Sequence, residues 1–338
     1  PRGTLNGART LKMRTRDPHR IYGLNETVVL RHVMEPLLEL DANGKFKPVL
    51  AESWKVSDDG LTWTFSLRKG VKFHDGSPFN AEAVKAIIER VKDNAKSGHA
   101  FAFKNYQDPP TRIVDEHTIE LKTKLPEPSL PYNLTFFLFP HPEAAGDKEM
   151  TWEKAVGTGP YNLVEFDIDR LYKLEARTDY WKAGFPKIQT LNYRPILEQS
   201  SLAAAVRAGE FDFIEGLSPD NIAALANDPN FDIVRVNSWR LDFLTINQAS
   251  PNPALKDAKV RQAMAYAIDR EVIARDILQG AATPWSTYPP KGIFGASDRF
   301  APNPYDLDKA RDLMKQSGFP NGFEATVIVP PGVGLHGK

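Results

Sequence analysis

Cysteine is absent from this chain of 338 residues. Without thiols, the protein cannot contain a disulfide framework, a thiolate zinc site, an iron–sulfur cluster or a cysteine nucleophile. The sequence also lacks an apolar run of about 18 residues, the length that a membrane-spanning helix requires. Neither charge sign is in excess, because 43 basic residues balance 43 acidic residues. This balance argues against a dedicated nucleic-acid binder, which normally carries a basic excess.

The length predicts two or three domains, at roughly 150 residues per domain. The 27 prolines and 22 glycines break the chain into many short elements. The first residues lack the apolar core of a secretory signal peptide. We therefore expect that, if the protein is exported, the sequence is already in its processed form.

Strand and helix patterns alternate along the chain. Apolar and polar residues alternate at 61–67, and the turn residues 57–60 predict a hairpin with 53–56. Helical spacing at 81–91, with Asn80 as N-cap, predicts a helix. The pattern further predicts strands at 118–123, 231–236 and 241–247, and helices at 200–208, 260–268, 271–278 and 308–316. This mixture indicates an α/β or α+β chain with more than one lobe.

Motifs of catalysis are missing. No His-Glu-x-x-His pair or Gly-x-Ser-x-Gly elbow occurs. His74 precedes an Asp-Gly dipeptide, which predicts a turn rather than a metal or base site. Gly157 and Gly159 form a glycine pair that leads into a strand, whereas phosphate loops need a helix behind them. Nothing therefore favours an enzyme, although two convergent carboxylates of a hydrolase stay open as an alternative.

Whole segments carry a more specific signal. Residues 50–65 and 67–79 read LAESWKVSDDGLTWTF and LRKGVKFHDGSPF. They closely resemble the hallmark segment of family 5 extracellular solute-binding proteins, the peptide- and nickel-type receptors of ABC importers. Further matches follow in the family order at residues 17–19, 157–161, 176–181, 208–212, 246–248 and 260–270.

The resemblance implies a fold and its division. The fold class is α/β, a bilobed periplasmic-binding-protein fold with an extra small α+β domain inserted in lobe I. Lobe I would comprise residues 1–40 and 154–250, the inserted domain residues 41–153, and lobe II residues 251–338. Family members are longer than this chain, so we expect lobe II to be incomplete and the chain to be a fragment.

The resemblance also implies where a ligand would be held in the cleft between the lobes. Glu26 stands where peptide-type members have an acidic pocket residue, and it could pair with an amino group. A first-turn acid of a helix is the alternative for Glu26. Arg240 could hold a ligand carboxylate in a bidentate manner, or it could be a solvated arginine at a strand edge. The complete predicted set is Tyr22, Asn25, Glu26, His99, Phe101, His141, Trp239, Arg240 and Asn247.

The function implied is capture of a small solute and its delivery to an ABC permease in the inner membrane. A di- or oligopeptide, or a peptide-like conjugate such as an opine, is the favoured ligand. The alternative is a receptor of the same family for a nickel chelate or another small metabolite. Gly98 and His141 replace two arginines of the nickel-type pattern, which disfavours the nickel chelate. We expect a monomer in the periplasm, or a lipid-anchored extracellular protein, with no cofactor, metal, catalytic residue or nucleic-acid partner.

Overall fold

A computed structural model describes residues 2–20, 24–234, 241–288, 296–297 and 299–328 of the protein. The chain divides into two compact units, Pro1–Leu217 (unit 1) and Ser218–Lys338 (unit 2). Unit 1 contains strands β1 (Thr4–Arg9), β2 (Leu38–Leu40), β3 (Phe46–Pro48), β4 (Ala51–Val56), β5 (Thr62–Leu67), β6 (Tyr106–Asp115), β7 (Thr118–Thr123), β8 (Tyr161–Asp167), β9 (Leu171–Ala176), β10 (Thr190–Pro195) and β11 (Phe213–Glu215). Its helices are α1 (Leu24–Leu30), α2 (Ala81–Val91), α3 (Leu130–Phe136) and α4 (Gln199–Arg207), and the short 3₁₀ helices are Ala100–Phe103 and Pro142–Gly146.

A mixed sheet of five strands has the order β11-β1-β10-β9-β8. Strand β1 runs parallel to β10 and β11, whereas β9 is antiparallel to both β10 and β8. Period-two alternation turns Tyr172 and Leu174 of β9 inward, and both are fully buried. Leu191 and Tyr193 of β10 join the same core.

A second sheet is antiparallel throughout, with the order β4-β5-β7-β6. The predicted hairpin is confirmed, and Gly60 supplies the positive φ of 72° that its turn requires. The predicted helix is confirmed as α2, and the Asn80 side chain accepts a hydrogen bond from the Ala83 N–H at 3.1 Å. The predicted strand at 118–123 is confirmed as β7.

Two separate apolar cores lie within unit 1. One is built from residues between 37 and 152 and includes the buried face of α2. The other is built around the mixed sheet and the buried residues of α1. The inserted domain expected at 41–153 stays a prediction, and the first core covers nearly the same range.

Unit 2 contains α5 (Pro219–Leu225), α6 (Ala258–Ala267), α7 (Arg270–Val272), a π-helical turn (Ile273–Ile277), α8 (Leu307–Lys315) and a 3₁₀ helix (Pro253–Lys256). The helices predicted at 260–268 and 308–316 are confirmed within one or two residues. The strand predicted at 241–247 is wrong. Phe243 and Leu244 are 65% and 58% exposed, so the alternation there lacks the buried face that a strand would use. Residues 231–234 form no strand either, and 235–236 lie outside the described residues.

Candidate functional site

Glu26 lies in the first turn of α1, and it is buried, with only 4% of its surface exposed. Its Oε1 accepts hydrogen bonds from the backbone N–H of Arg14 at 3.0 Å and from Arg14 Nε at 3.3 Å. Its Oε2 is buried without a hydrogen-bond partner among the described residues. A buried carboxylate oxygen is costly to leave unpaired, so this atom is suited to accept a hydrogen bond from a ligand.

The negative charge of the Glu26 carboxylate is only partly compensated by Arg14, its ion-pair partner. The Arg14 side chain is 62% exposed, whereas that of Glu26 is 5% exposed. Arg14 therefore remains largely hydrated, and the attraction between the two groups is weakened by solvent. A cationic group held at Oε2 and removed from water would interact with the carboxylate more strongly than the hydrated Arg14 does.

His99 is turned into the protein interior and is 5% exposed. Its ring packs edge-on against His19 and Phe137, with centroid distances of 5.7 Å and 5.6 Å. The Ser97 hydroxyl accepts a hydrogen bond from the His99 backbone N–H and donates one to the His19 carbonyl. These contacts fix the start of the 3₁₀ helix Ala100–Phe103 against the segment around His19.

Phe101 differs from His99 in exposure, since 51% of its surface is accessible. It lies on the same short 3₁₀ helix, whose Phe103 is buried. Phe101 is thus the more accessible of these aromatic side chains.

The loop that carries His99 and Phe101 packs against a buried network of charges. Arg90 donates to Asp17 from Nη1 at 3.1 Å and from Nη2 at 2.5 Å. Arg90 Nη1 also donates to His19 Nδ1 at 3.1 Å, so His19 carries its proton on Nε2, which donates to the Leu138 carbonyl at 2.9 Å. Burial holds the pKa of His19 well below its usual value, and the charges of His99 and Arg90 act in the same direction.

His141 is held by a turn of the neighbouring segment. Its Nε2 lies 3.2 Å from both Asp75 Oδ2 and Ser77 Oγ. Its Nδ1 accepts a hydrogen bond from the Glu143 N–H and thereby caps the 3₁₀ helix Pro142–Gly146. Hydrogen bonds from Ser77 and the charge of His141 lower the pKa of Asp75. Both ring nitrogens of His141 are therefore engaged within the protein.

The remaining predicted residues are placed only in part. Tyr22, Trp239 and Arg240 lie outside the described residues. Asn25 lies on α1, and Asn247 is an exposed residue of unit 2. The Asn247 side chain accepts a hydrogen bond from the Ala249 N–H at 3.0 Å and so shapes a turn. The contacts of Glu26, His99 and His141 place these three residues in different neighbourhoods of unit 1.

Glu35 was not singled out in the sequence, yet it joins three segments. Its carboxylate accepts hydrogen bonds from the Tyr180 hydroxyl at 2.6 Å, Trp181 Nε1 at 2.9 Å and the Thr158 hydroxyl at 2.9 Å. Burial raises the pKa of Glu35, and the three hydrogen bonds partly oppose that shift. Its partners lie more than 120 residues away in sequence, so no local pattern could identify the contact.

The segment Gly157–Gly159 packs directly against the backbone that leads into Glu35. A Cβ added at Gly157 would lie 2.4 Å from the Val33 carbonyl oxygen, and one at Gly159 would lie 2.6 Å from that of His32. The Gly159 N–H donates to the Val33 carbonyl at 2.9 Å. Close backbone packing, and not phosphate binding, therefore explains these two glycines.

Metal chemistry receives no support from the described residues. Among them there is no group of three or more His, Asp or Glu side chains placed to hold a metal ion. Within the same part of the chain, no helix has the length and apolar character needed to cross a membrane.

A protein-family profile matches most of the chain. The profile, described as bacterial extracellular solute-binding proteins, family 5 Middle, covers residues 45–333. The glutathione-binding protein GsiB of Salmonella choleraesuis is 34% identical over 325 residues. This match covers 93% of the present chain and 61% of GsiB, so the chain spans about three fifths of that relative's length.

Solved structures give the same result. DppA from Helicobacter pylori, in complex with the peptide STSA, matches with a TM-score of 0.77 and 27% identity over 95% of this chain and 67% of DppA. NikZ from Campylobacter jejuni, in complex with Ni(L-His), matches with a TM-score of 0.80 and 26% identity over 94% of this chain and 63% of NikZ. These relatives are binding proteins of transporters and not enzymes. They confirm the predicted α/β fold class, that of periplasmic binding proteins.

The resemblance noted in the sequence is therefore confirmed by sequence and by structure. The members of the matched family are extracellular or periplasmic proteins. The chain belongs to family 5 of the bacterial extracellular solute-binding proteins.

Proposed function

We propose that this protein is the solute-binding receptor of an ABC importer, and that its ligand is a di- or oligopeptide or a peptide-like amino-acid conjugate. The proposed ligand class rests on the buried carboxylate of Glu26, whose Oε2 has no hydrogen-bond partner among the described residues. An ammonium group of a peptide is a strong donor to such an oxygen, because a charged donor and a charged acceptor form short and strong hydrogen bonds.

The names of the relatives support this ligand class. GsiB is named for binding glutathione, and DppA was solved with a tetrapeptide. Both ligands combine an amino group, which Glu26 would recognise, with peptide bonds, whose N–H and C=O groups can form hydrogen bonds to a protein backbone. Phe101, which is exposed on its 3₁₀ helix, would supply an apolar contact to the bound ligand.

The nickel alternative receives less support. NikZ holds Ni(L-His), but this chain has Gly98 and His141 where the resemblance places two arginines. His141 cannot readily turn toward a chelate, because its ring nitrogens are engaged by the Asp75 turn and by Glu143.

The remaining parts of the proposal follow from the receptor role. The protein would act in the periplasm or at the outer face of the membrane, as a monomer, and it would deliver its ligand to a membrane permease. It would carry out no catalysis and bind no nucleic acid. The inserted domain at 41–153 is supported by the separate apolar core of that range.

The test compares peptides that have free and blocked amino groups. We expect glutathione or short peptides to bind in titration calorimetry, and their N-acetylated forms to bind about 10- to 100-fold more weakly because the ammonium is lost. Glu26→Gln should remove this 10- to 100-fold preference for a free over an acetylated amino group, because the charge-assisted hydrogen bond is lost.

Glu82→Gln is the matched control. Glu82 also lies in the first turn of a helix, α2, but it is exposed. This variant should bind all ligands as the unsubstituted protein does. If no peptide or conjugate binds, the proposed ligand class fails. If Glu26→Gln keeps the preference for a free amino group, the role of Glu26 fails and the ligand class stands.

A further inference from the structure

A groove of about 310 Å³ lies on unit 1 beside the start of β8. Its walls include four aromatic side chains, those of His32, Tyr161, Tyr180 and Phe185, and two lysines, Lys182 and Lys187. The volume is at the lower end of the range of small-molecule sites. All of the lining residues belong to unit 1, and none is among the residues assigned to the proposed peptide site.

The polar groups of the walls are already used. The Tyr161 hydroxyl donates to the Ile188 carbonyl at 3.0 Å, and the Tyr180 hydroxyl donates to Glu35. His32 Nε2 lies 3.0 Å from the Tyr193 hydroxyl. Burial lowers the pKa of His32 to about 4, and the charge of Arg9 acts in the same direction. At neutral pH the walls therefore present mainly the apolar parts of their rings.

The rim is different, because it concentrates positive charge. Lys182 Nζ lies 4.5 Å from the centroid of the Phe185 ring, and Lys187 Nζ lies 5.7 Å from the same centroid. Neither lysine has a carboxylate within ion-pair distance in the described part of the chain. The backbone N–H of Arg2 donates to the Lys187 carbonyl at 2.9 Å, which brings a third basic residue to this loop.

Both ammonium groups lie near one ring, and the ring compensates their charge only weakly, because an exposed cation–π contact is a small interaction. An anionic group that contacts both lysines would be held by two charge-assisted hydrogen bonds. Phe185 is 47% exposed, so part of its ring remains accessible to a planar partner beside the two lysines.

We propose that this groove is a second binding site of the protein, which takes a small organic anion: a carboxylate, sulfonate or phosphate on a planar apolar body. The anionic group would bridge Lys182 and Lys187, and the planar body would lie along Phe185 and Tyr161. The site is complete within unit 1, and its occupation does not depend on the proposed peptide ligand.

The test uses 2-naphthoate as the probe and amide chemical shifts of the full chain as the readout. We expect shifts to concentrate at residues 180–188, with saturation at roughly millimolar probe, as suits a small groove. Naphthalene-2-methanol, which has the same ring system and no charge, should bind at least about tenfold more weakly because it cannot bridge the lysines. Acetate, which lacks the ring, should also bind at least about tenfold more weakly, because it buries no apolar surface.

Variants separate a built site from general attraction to a charged surface. Lys182→Ala/Lys187→Ala should weaken naphthoate binding about tenfold or more, since both bridging donors are lost. Lys124→Ala/Lys148→Ala removes the same charge from two exposed lysines elsewhere on unit 1 and should leave binding within about twofold, as expected for distant surface charges. The proposal is overturned if both double variants bind equally well, if the uncharged alcohol binds as tightly as naphthoate, or if the shifts occur away from residues 180–188.

Discussion

Arg90 and Asp17 carry opposite charges on side chains that have no exposed surface. Asp17 is further held by the backbone N–H groups of His19 and Trp152. Arg90 also donates from Nε to the Asp147 carbonyl. Desolvation of both ions is therefore offset by a nearly complete set of hydrogen bonds, which is the condition under which a buried pair is tolerated.

We expect Arg90→Leu to destabilise unit 1 by about 3–5 kcal/mol, because it leaves the Asp17 carboxylate buried without its cation. The measurement is the free energy of unfolding from urea denaturation. A double variant, Asp17→Leu/Arg90→Leu, should lose less than the sum of the two single changes, since neither charge is then left alone.

The control is the cross-strand pair of Arg112 and Glu120 on β6 and β7, which is more accessible to solvent than the buried pair. The Arg112 side chain is 55% exposed, and its ion pair with Glu120 is screened by solvent. Arg112→Ala should cost no more than about 1 kcal/mol. Equal losses for Arg90→Leu and Arg112→Ala would contradict the role given to the buried pair.

At the scale of elements, the segment Gly157–Gly159 packs closely against the backbone of residues 32–33. His74 completes it, because its backbone N–H donates to the Gly157 carbonyl and its ring spans the turn between the Gly157 N–H and the Gly159 carbonyl. We expect Gly157→Ala and Gly159→Ala each to lower the free energy of unfolding by about 1–3 kcal/mol or more, since the new methyl group would overlap fixed carbonyl oxygens.

Gly146→Ala is the matched control for these two substitutions. A Cβ at Gly146 would have no atom within 4 Å. The variant should therefore remain within about 0.5 kcal/mol of the unsubstituted protein. Thermal unfolding of the three variants side by side measures the difference, and an unchanged midpoint for Gly157→Ala and Gly159→Ala would contradict the close-packing argument.

The elements that could be predicted from sequence are those whose signal is local. The β4–β5 hairpin combines alternation with a glycine that adopts positive φ, and α2 combines apolar spacing with a capping asparagine. The strand predicted at 241–247 has the same alternation but an exposed apolar face. Alternation alone says nothing about whether a neighbouring strand is present, so it fails where tertiary pairing is missing.

In the candidate site, too, only the local features could be predicted from the sequence. The place of Glu26 in a first helical turn can be read from sequence, but its unpartnered Oε2 cannot, because burial is set by distant segments. Likewise, His99 and Phe101 are two residues apart, yet one is buried and the other is half exposed. The resemblance to a family could indicate the loop but not the direction of each side chain.

At the scale of the whole molecule, buried histidines couple stability to pH. Burial lowers the pKa of His32 and of His74 from 6.5 to about 4. Burial also holds the pKa of His19 well below 6.5. Between about pH 6.5 and pH 4 the unfolded chain therefore binds protons that the folded chain does not, so the histidines favour folding above pH 6.5 and progressively lose that effect as the pH falls.

We expect the free energy of unfolding to fall from pH 7 to pH 4.5, with a slope of up to about 1.4 kcal/mol per pH unit for each of these histidines. Glu35 has the opposite effect on the slope. Its pKa is raised in the folded chain, so as the pH falls the folded chain binds this proton before the unfolded chain does. Glutamine does not titrate. His32→Gln should therefore remove the contribution of one histidine to the slope, up to about 1.4 kcal/mol per pH unit. Urea unfolding across this pH range measures the slope, and Gly146→Ala, which changes no titratable group, should leave it unchanged. A stability that is flat from pH 7 to pH 4.5, or a slope that His32→Gln does not alter, would mean that these histidines are protonated in the folded state as readily as in the unfolded chain.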